Sequence, residues 1–192
     1  MHSRIFPLLA AAFLTLSVVA CSRQDAPAAA AIAPAQAYES VATKARGFAA
    51  GALMSTNTVY VLFDPQCPHC GHLWQQAQPL MKKVKFVWIP VAFINAKSAP
   101  QGAALLAAAN PVELMSTHEA SLLAGTGGIS ASSSVPSDIE TAIKANTAIL
   151  NSLGAESVPF IVAKSQRNGQ TVTNTGALET PALAAFLGLD AQ

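Results

Sequence analysis

Four consecutive residues carry the chemistry legible in this sequence: Cys67, Pro68, His69 and Cys70. Two thiols at this spacing can close a small disulfide ring and open it again, which is thiol–disulfide exchange. The tetrad follows a β-branched and aromatic run and opens a helical pattern. Cys67 is therefore expected at the N-cap, with Pro68 at the first helical position, where its missing N–H costs nothing. Free N–H groups and the partial positive charge of a helix start favour a thiolate on Cys67, and His69 adds to this when protonated or donating. Cys70 lies one turn deeper. The outer sulfur is then the nucleophile, and the inner one is the resolving thiol that expels a mixed-disulfide partner. A fall of the Cys67 pKa into the carboxylate range would stabilise the reduced form by roughly 3 kcal/mol at pH 7, about 70 mV for a two-electron couple, and make the disulfide an oxidant.

Blander chemistry must be weighed against this. A structural disulfide across so short a loop constrains the unfolded chain little. A zinc site would need two further ligands, and the sequence offers only His72 and His118 besides His69 in the expected mature chain, with no second CxxC. Haem attachment needs histidine directly after the second cysteine, where Gly71 stands instead. No metal is expected, and no cofactor other than the Cys67–Cys70 disulfide itself. Asp64 either tunes the inner thiol or simply ends a strand before Pro65. Trp74 and Trp88 read as packing residues, and His72 and His118 as polar helix or surface residues.

The elements that must hold this site follow from periodicity. Thr58 to Phe63 is an unbroken apolar run bounded by turn residues, the pattern of a buried central strand. A helix follows from Pro68, with Leu73, Ala77, Leu80 and Met81 at helical spacing and Pro79 kinking or ending it. Residues 86–94 read as a second strand, giving a β-α-β unit. Three Ala- and Leu-rich stretches between about 98 and 154 read as inserted helices, separated by Asn110-Pro111 and a Gly/Ser loop over 125–134. Residues 159–164 form a short strand, Asn168-Gly169 a hairpin turn, residues 171–175 the return strand and 181–187 a closing helix. The class is α/β.

The chain has 192 residues, 52% of them hydrophobic and only 11% charged, with Lys+Arg 11 against Asp+Glu 10. No basic stripe offers what nucleic acid requires, so nucleic acid is not expected as a partner. Part of the apolar excess sits in residues 1–20, which read as a secretory leader: a short polar start, then an apolar stretch too short to span a membrane. The leader ends in Val18-Val19-Ala20-Cys21, which resembles the bacterial lipobox, whose cysteine becomes the diacylated first residue of the mature chain. With Ser22 after it, outer-membrane anchoring is weakly favoured over inner. Residues 21–36, with Pro27 and Pro34 and almost no large apolar side chain, read as a flexible tether. Spending Cys21 on lipid leaves Cys67 and Cys70 as the one pair in an oxidising compartment.

Asp64 to Cys70, followed by Trp74-Gln75-Gln76-Ala77-Gln78-Pro79, resembles the thioredoxin-fold Dsb proteins of the Gram-negative periplasm, and within them the catalytic domain of the DsbC/DsbG branch. The resemblance runs from about Gly47 to Gly188 and includes helices inserted in the thioredoxin fold. It implies that Pro159, in Ser157-Val158-Pro159-Phe160, is the cis-proline facing the CxxC, and that Val158 offers its backbone to an extended substrate strand. Pro68-His69 and Val158 resemble the oxidase DsbA instead, so the site is a hybrid.

The resulting expectation is a thioredoxin-like fold over 37–192 with a helical insertion, lipid-anchored and facing the periplasm. It would exchange disulfides with reduced or misfolded exported proteins, with donation of the disulfide favoured. Isomerase or dithiol reductase activity is the alternative, and a non-catalytic tethered binder of unfolded chains is the alternative of another class. The resemblance implies a DsbB-like or DsbD-like membrane redox partner. DsbC and DsbG carry an N-terminal dimerisation domain, for which the segment from Ser22 to about Ala45 leaves little room, so a monomer is expected.

Overall fold

A computed structural model describes residues 31–189. The leader, Cys21 and most of the expected tether lie outside the described residues. A five-stranded sheet of order β1-β3-β2-β4-β5 forms the centre. Its strands are β1 (Phe48–Gly51), β2 (Thr58–Phe63), β3 (Lys85–Pro90), β4 (Phe160–Lys164) and β5 (Thr171–Thr175). β2 and β3 run parallel, while β1 pairs antiparallel with β3, β4 with β2, and β5 with β4. Helices α1 (Pro34–Lys44), α2 (Pro68–Ala77), α3 (Ser98–Ala107), α4 (Pro111–Leu123), α5 (Ser137–Ser152) and α6 (Thr180–Leu187) surround it, and a short 3₁₀ turn over Gln78–Lys82 carries Pro79.

Both faces of β2 are covered, as its unbroken apolar run requires. Tyr60 meets Tyr38 of α1 edge-on at 5.1 Å. Phe63, three residues on and so on the opposite face, starts the ring series Phe63–Trp88–Trp74 with centroid separations of 5.7 and 5.0 Å, which reaches α2. Trp74 and Trp88 are thus packing residues, and they fix the helix that carries the thiols to the central strands.

Three elements and one residue differ from the sequence reading. β1 was not expected: Phe-Ala-Ala-Gly has little β propensity, and the strand exists because pairing with β3 buries Phe48 and Ala50. The segment read as tether up to Gln36 is already helical from Pro34, because Ala37 and Val41 bury on the sheet side. The strand read over 86–94 ends at Pro90. After Val91 N–H bonds to Phe63 O at 2.9 Å, the amides of Phe93 and Ile94 turn to the Asp64 carboxylate instead of a strand. His118, read as surface or helix polar, is fully buried on α4.

Candidate active site

β2 delivers the chain to Asp64, whose buried carboxylate accepts four hydrogen bonds. Oδ1 takes Gln66 N–H at 2.8 Å and Ser98 O–H at 2.7 Å; Oδ2 takes Phe93 N–H at 2.7 Å and Ile94 N–H at 2.8 Å. Four donors fill a carboxylate's acceptor capacity. The Asp64 carboxylate therefore ties the active-site loop to the end of β3 and the start of α3 and keeps no lone pair for a thiol, while its backbone hydrogen bond acts on Cys70 and lowers that thiol's pKa against the effect of burial.

Cys67 is extended at the α2 N-cap and Pro68 opens the helix. The Cys67 side chain is buried at 4% exposure, Cys70 is fully buried, and both are free thiols. Cys67 S–H lies 3.5 Å from Val158 O, and the Val158–Pro159 peptide is cis. The structure thus brings Cys67, Cys70, Val158 and Pro159 together across 91 residues of sequence. A hydrogen bond from the Cys70 thiol is the largest influence on Cys67; burial opposes it, while the N–H groups of Cys70 and His69 and the charge of His69 help. The Cys67 pKa comes down to about 7, well short of the carboxylate range. Burial pushes Cys70 far above the ordinary thiol range, reinforced by its hydrogen bond to Cys67 and the Cys67 charge. Pro68 and His69 are exposed, and the His69 ring lies 6.4 Å from that of His72.

The inserted helices supply residues that sequence reasoning missed. His118 Nδ1 accepts from Ile129 N–H at 3.1 Å, so Nε2 carries the proton and donates to Pro65 O at 2.7 Å. Burial favours this neutral form and lowers the pKa. Gln101 on α3 accepts from Gln66 Nε2 at 2.6 Å and donates to Gly127 O and Ile129 O. Gly128 has a φ of +83°, and a Cβ there would collide with the His118 ring, so the loop after α4 closes over His118 only with glycine. Glu119, beside His118, is 1% exposed and neither carboxyl oxygen has a hydrogen-bond partner. A Cβ on Gly71 would lie 2.6 Å from Glu119 Oε2, so the carboxyl sits against the backbone next to Cys70. The signal lay in Met115, His118 and Glu119, spaced to share one helix face. Among the described residues no three His, Cys, Asp or Glu side chains converge to hold a metal ion.

No family model matches the sequence. Curated relatives do: the chain is 31% identical over 132 residues to the thiol:disulfide interchange protein DsbG of Pseudomonas aeruginosa, covering 68% of this chain and 50% of that protein. It is 33% identical over 116 residues to DsbG of Escherichia coli, covering 57% and 44%. The chain therefore spans about half the length of the curated relatives it matches. Among solved structures, the catalytic domain of Proteus mirabilis ScsC superposes with a TM-score of 0.62 at 17% identity, over 80% of this chain and 94% of that one. The thiol-disulfide exchange protein alpha-DsbA2 of Wolbachia pipientis gives 0.61 at 16% identity, over 80% and 92%. These likenesses carry the fold, and the DsbG matches carry the kinship. The chain belongs to the Dsb thiol:disulfide interchange family and has a thioredoxin-like α/β fold.

Proposed function

We propose that this chain is a thiol:disulfide oxidoreductase of the Gram-negative cell envelope, exchanging disulfides with exported proteins through Cys67 and Cys70. The asymmetry of the two thiols carries the reading: an ionisable Cys67 at a helix start, within reach of the Val158 carbonyl, above a fully buried Cys70 that resists ionisation. Client thiols attack Cys67, and Cys70 resolves the mixed disulfide. Val158 and Pro159 form the wall along which an extended client strand lies. Phe93 and Ile94, large apolar side chains exposed at the same end of the sheet, suit an unfolded client. Lipidation of Cys21 holds the domain at a membrane, the outer one by preference, and a DsbB-like or DsbD-like partner resets the disulfide.

Donation of the disulfide is the first direction, on Pro68-His69 and on Val158, which places no hydroxyl beside the sulfurs. The lean is small. With Cys67 at about 7, ionisation at pH 7 stabilises the reduced form by only about 0.4 kcal/mol, roughly 10 mV. A thiol with a pKa near ambient pH is also a good attacking group, and this, with the DsbG kinship, favours isomerisation or dithiol reduction as the second reading. Parallel assays of insulin reduction and of oxidation of a reduced model protein test the proposal. Turnover in either supports exchange, and turnover in neither leaves a binder with an inert disulfide.

A further inference from the structure

Glu119 is the residue that the exchange chemistry above leaves without a task. It is a carboxyl buried on α4, neither of its oxygens has a hydrogen-bond partner, and it rests against Gly71, the neighbour of Cys70. An unpaired buried carboxyl destabilises a fold, so its placement calls for a chemical reason. α4 packs on α2 by way of this contact, and glycine at 71 is what admits it, since any Cβ would occupy the carboxyl's place. The titratable groups around it are Cys67 and Cys70 of α2, Asp64 in the loop before α2, and its own neighbour His118. His69 and His72 of α2 are exposed, and α3 and β1, also packed on α4, carry no titratable side chain.

We propose that Glu119 supplies the proton that Cys70 takes up when the disulfide opens, and receives it back when the disulfide closes. This rests on the exchange reading above. In the opening direction an incoming thiolate attacks Cys67 Sγ; a new S–S bond forms there, the Cys67–Cys70 bond breaks, and its electron pair leaves on Cys70 Sγ. A thiolate at that buried position is poorly tolerated. The Glu119 carboxyl transfers its proton to the sulfur, becomes a carboxylate and is reprotonated from solvent. In the closing direction Glu119 first gives its proton to solvent and the resulting carboxylate takes the Cys70 proton; the Cys70 thiolate then attacks Cys67 Sγ of the mixed disulfide, the bond between Cys67 and the client sulfur breaks, and the client leaves as a thiolate with its electron pair. Burial, helped by the charges of Cys67 and Asp64, holds the Glu119 pKa up at about 9, so the acid form is the one present at neutral pH.

The test follows dithiothreitol reduction of the Cys67–Cys70 disulfide in the purified protein, wild type beside Glu119→Gln, across pH. The ratio of the two rates at each pH cancels the ionisation of the dithiothreitol. A ratio of roughly 10 or more at neutral pH, falling toward one above pH 9, supports the proposal, as does Glu119→Asp restoring part of the pH-dependent ratio. A ratio near one throughout overturns it. Should Glu119→Gln not fold, infrared difference spectra of the wild type between disulfide and dithiol forms decide: a changing carbonyl band from a protonated buried carboxyl supports the assignment, and its absence overturns it. A wild type whose disulfide never forms would sink the exchange reading itself, whereas a working wild type matched by Glu119→Gln sinks the Glu119 role alone.

Discussion

Cys67 and Cys70 differ in environment far more than in chemistry, and the roles proposed for them rest on that difference. Cys67→Ser should abolish exchange with protein thiols. Cys70→Ser should leave Cys67 able to attack and unable to be released, so adducts linked to client proteins accumulate and run as shifted bands on non-reducing gels. Equal inactivity without adducts would remove Cys70 from the resolving role. Glu119 makes a prediction on stability as well. Its folded pKa of about 9 exceeds the ordinary 4.5, so the folded chain keeps a proton that the unfolded chain releases, and stability falls as pH rises from 4.5 to 9. At pH 7 the loss is about 3 kcal/mol. Glu119→Gln should match wild type below pH 4.5 and become progressively more stable above it, a divergence that urea titrations at pH 4 and 8 would show. The thiols were legible because their motif is local, and the cis Pro159 only through the family resemblance, which places it by the strand behind it. Glu119 was not, since a helical glutamate nearly always faces water, and only the packing of α4 on α2 turns it inward.

At the scale of elements, the active-site loop is held from outside the thioredoxin-like core. Asp64 binds Ser98 of α3, Pro65 O receives His118 of α4, and Gln66 binds Gln101 of α3. The insertion is therefore a clamp on the three residues before Cys67, as well as a cover for Cys70. His118→Ala should cost about 2–4 kcal/mol, a lost buried side chain plus two orphaned backbone groups, and His118→Gln, which can donate and accept in the same directions, should cost less. The sign with pH is fixed by burial. His118 binds its proton less readily folded than unfolded, so stability is present above the ordinary value of 6.5 and is lost as pH falls below it. Glu119 acts in the opposite sense over the same range, so the His118 contribution is read as a difference: the stability of His118→Gln relative to wild type should rise as pH falls from 7 to 5 in thermal melts, and a difference that does not change with pH would place the acid sensitivity elsewhere. Sequence periodicity located β2, α2, the inserted helices and the β4–β5 hairpin, because each has an apolar pattern or a turn signal of its own. It missed β1 and the early end of β3, which are decided by partners far along the chain: Phe48 and Ala50 by β3, and Phe93 and Ile94 by Asp64.

For the whole molecule, what separates an oxidase from an isomerase is the hold on a client. Shuffling a wrong disulfide requires the client to stay while several exchanges occur, and the apolar surface near the thiols sets that residence. The large exposed apolar side chains among the described residues are Leu53, Met54, Phe93 and Ile94. Leu53 and Met54 lie between β1 and the start of β2, at the end of that strand away from Cys67. Phe93 and Ile94 stand at the right end, already about half exposed, and covering the pair contributes on the order of 2–3 kcal/mol before any entropy is subtracted. On the proposed exchange reading, a single copy of this domain should hold an unfolded chain only briefly, even with strand pairing along Val158. Reduced ribonuclease should accordingly be oxidised readily by the disulfide form, whereas scrambled ribonuclease should regain activity slowly with the dithiol form. Sedimentation in the same buffer is expected to show a monomer. Phe93→Ser should slow both reactions through the client's KM rather than kcat, and leave reduction by a small thiol unaffected. Recovery of scrambled ribonuclease as fast as oxidation of the reduced protein, together with a stable dimer, would show that a second copy completes the grip and that isomerisation is the working direction.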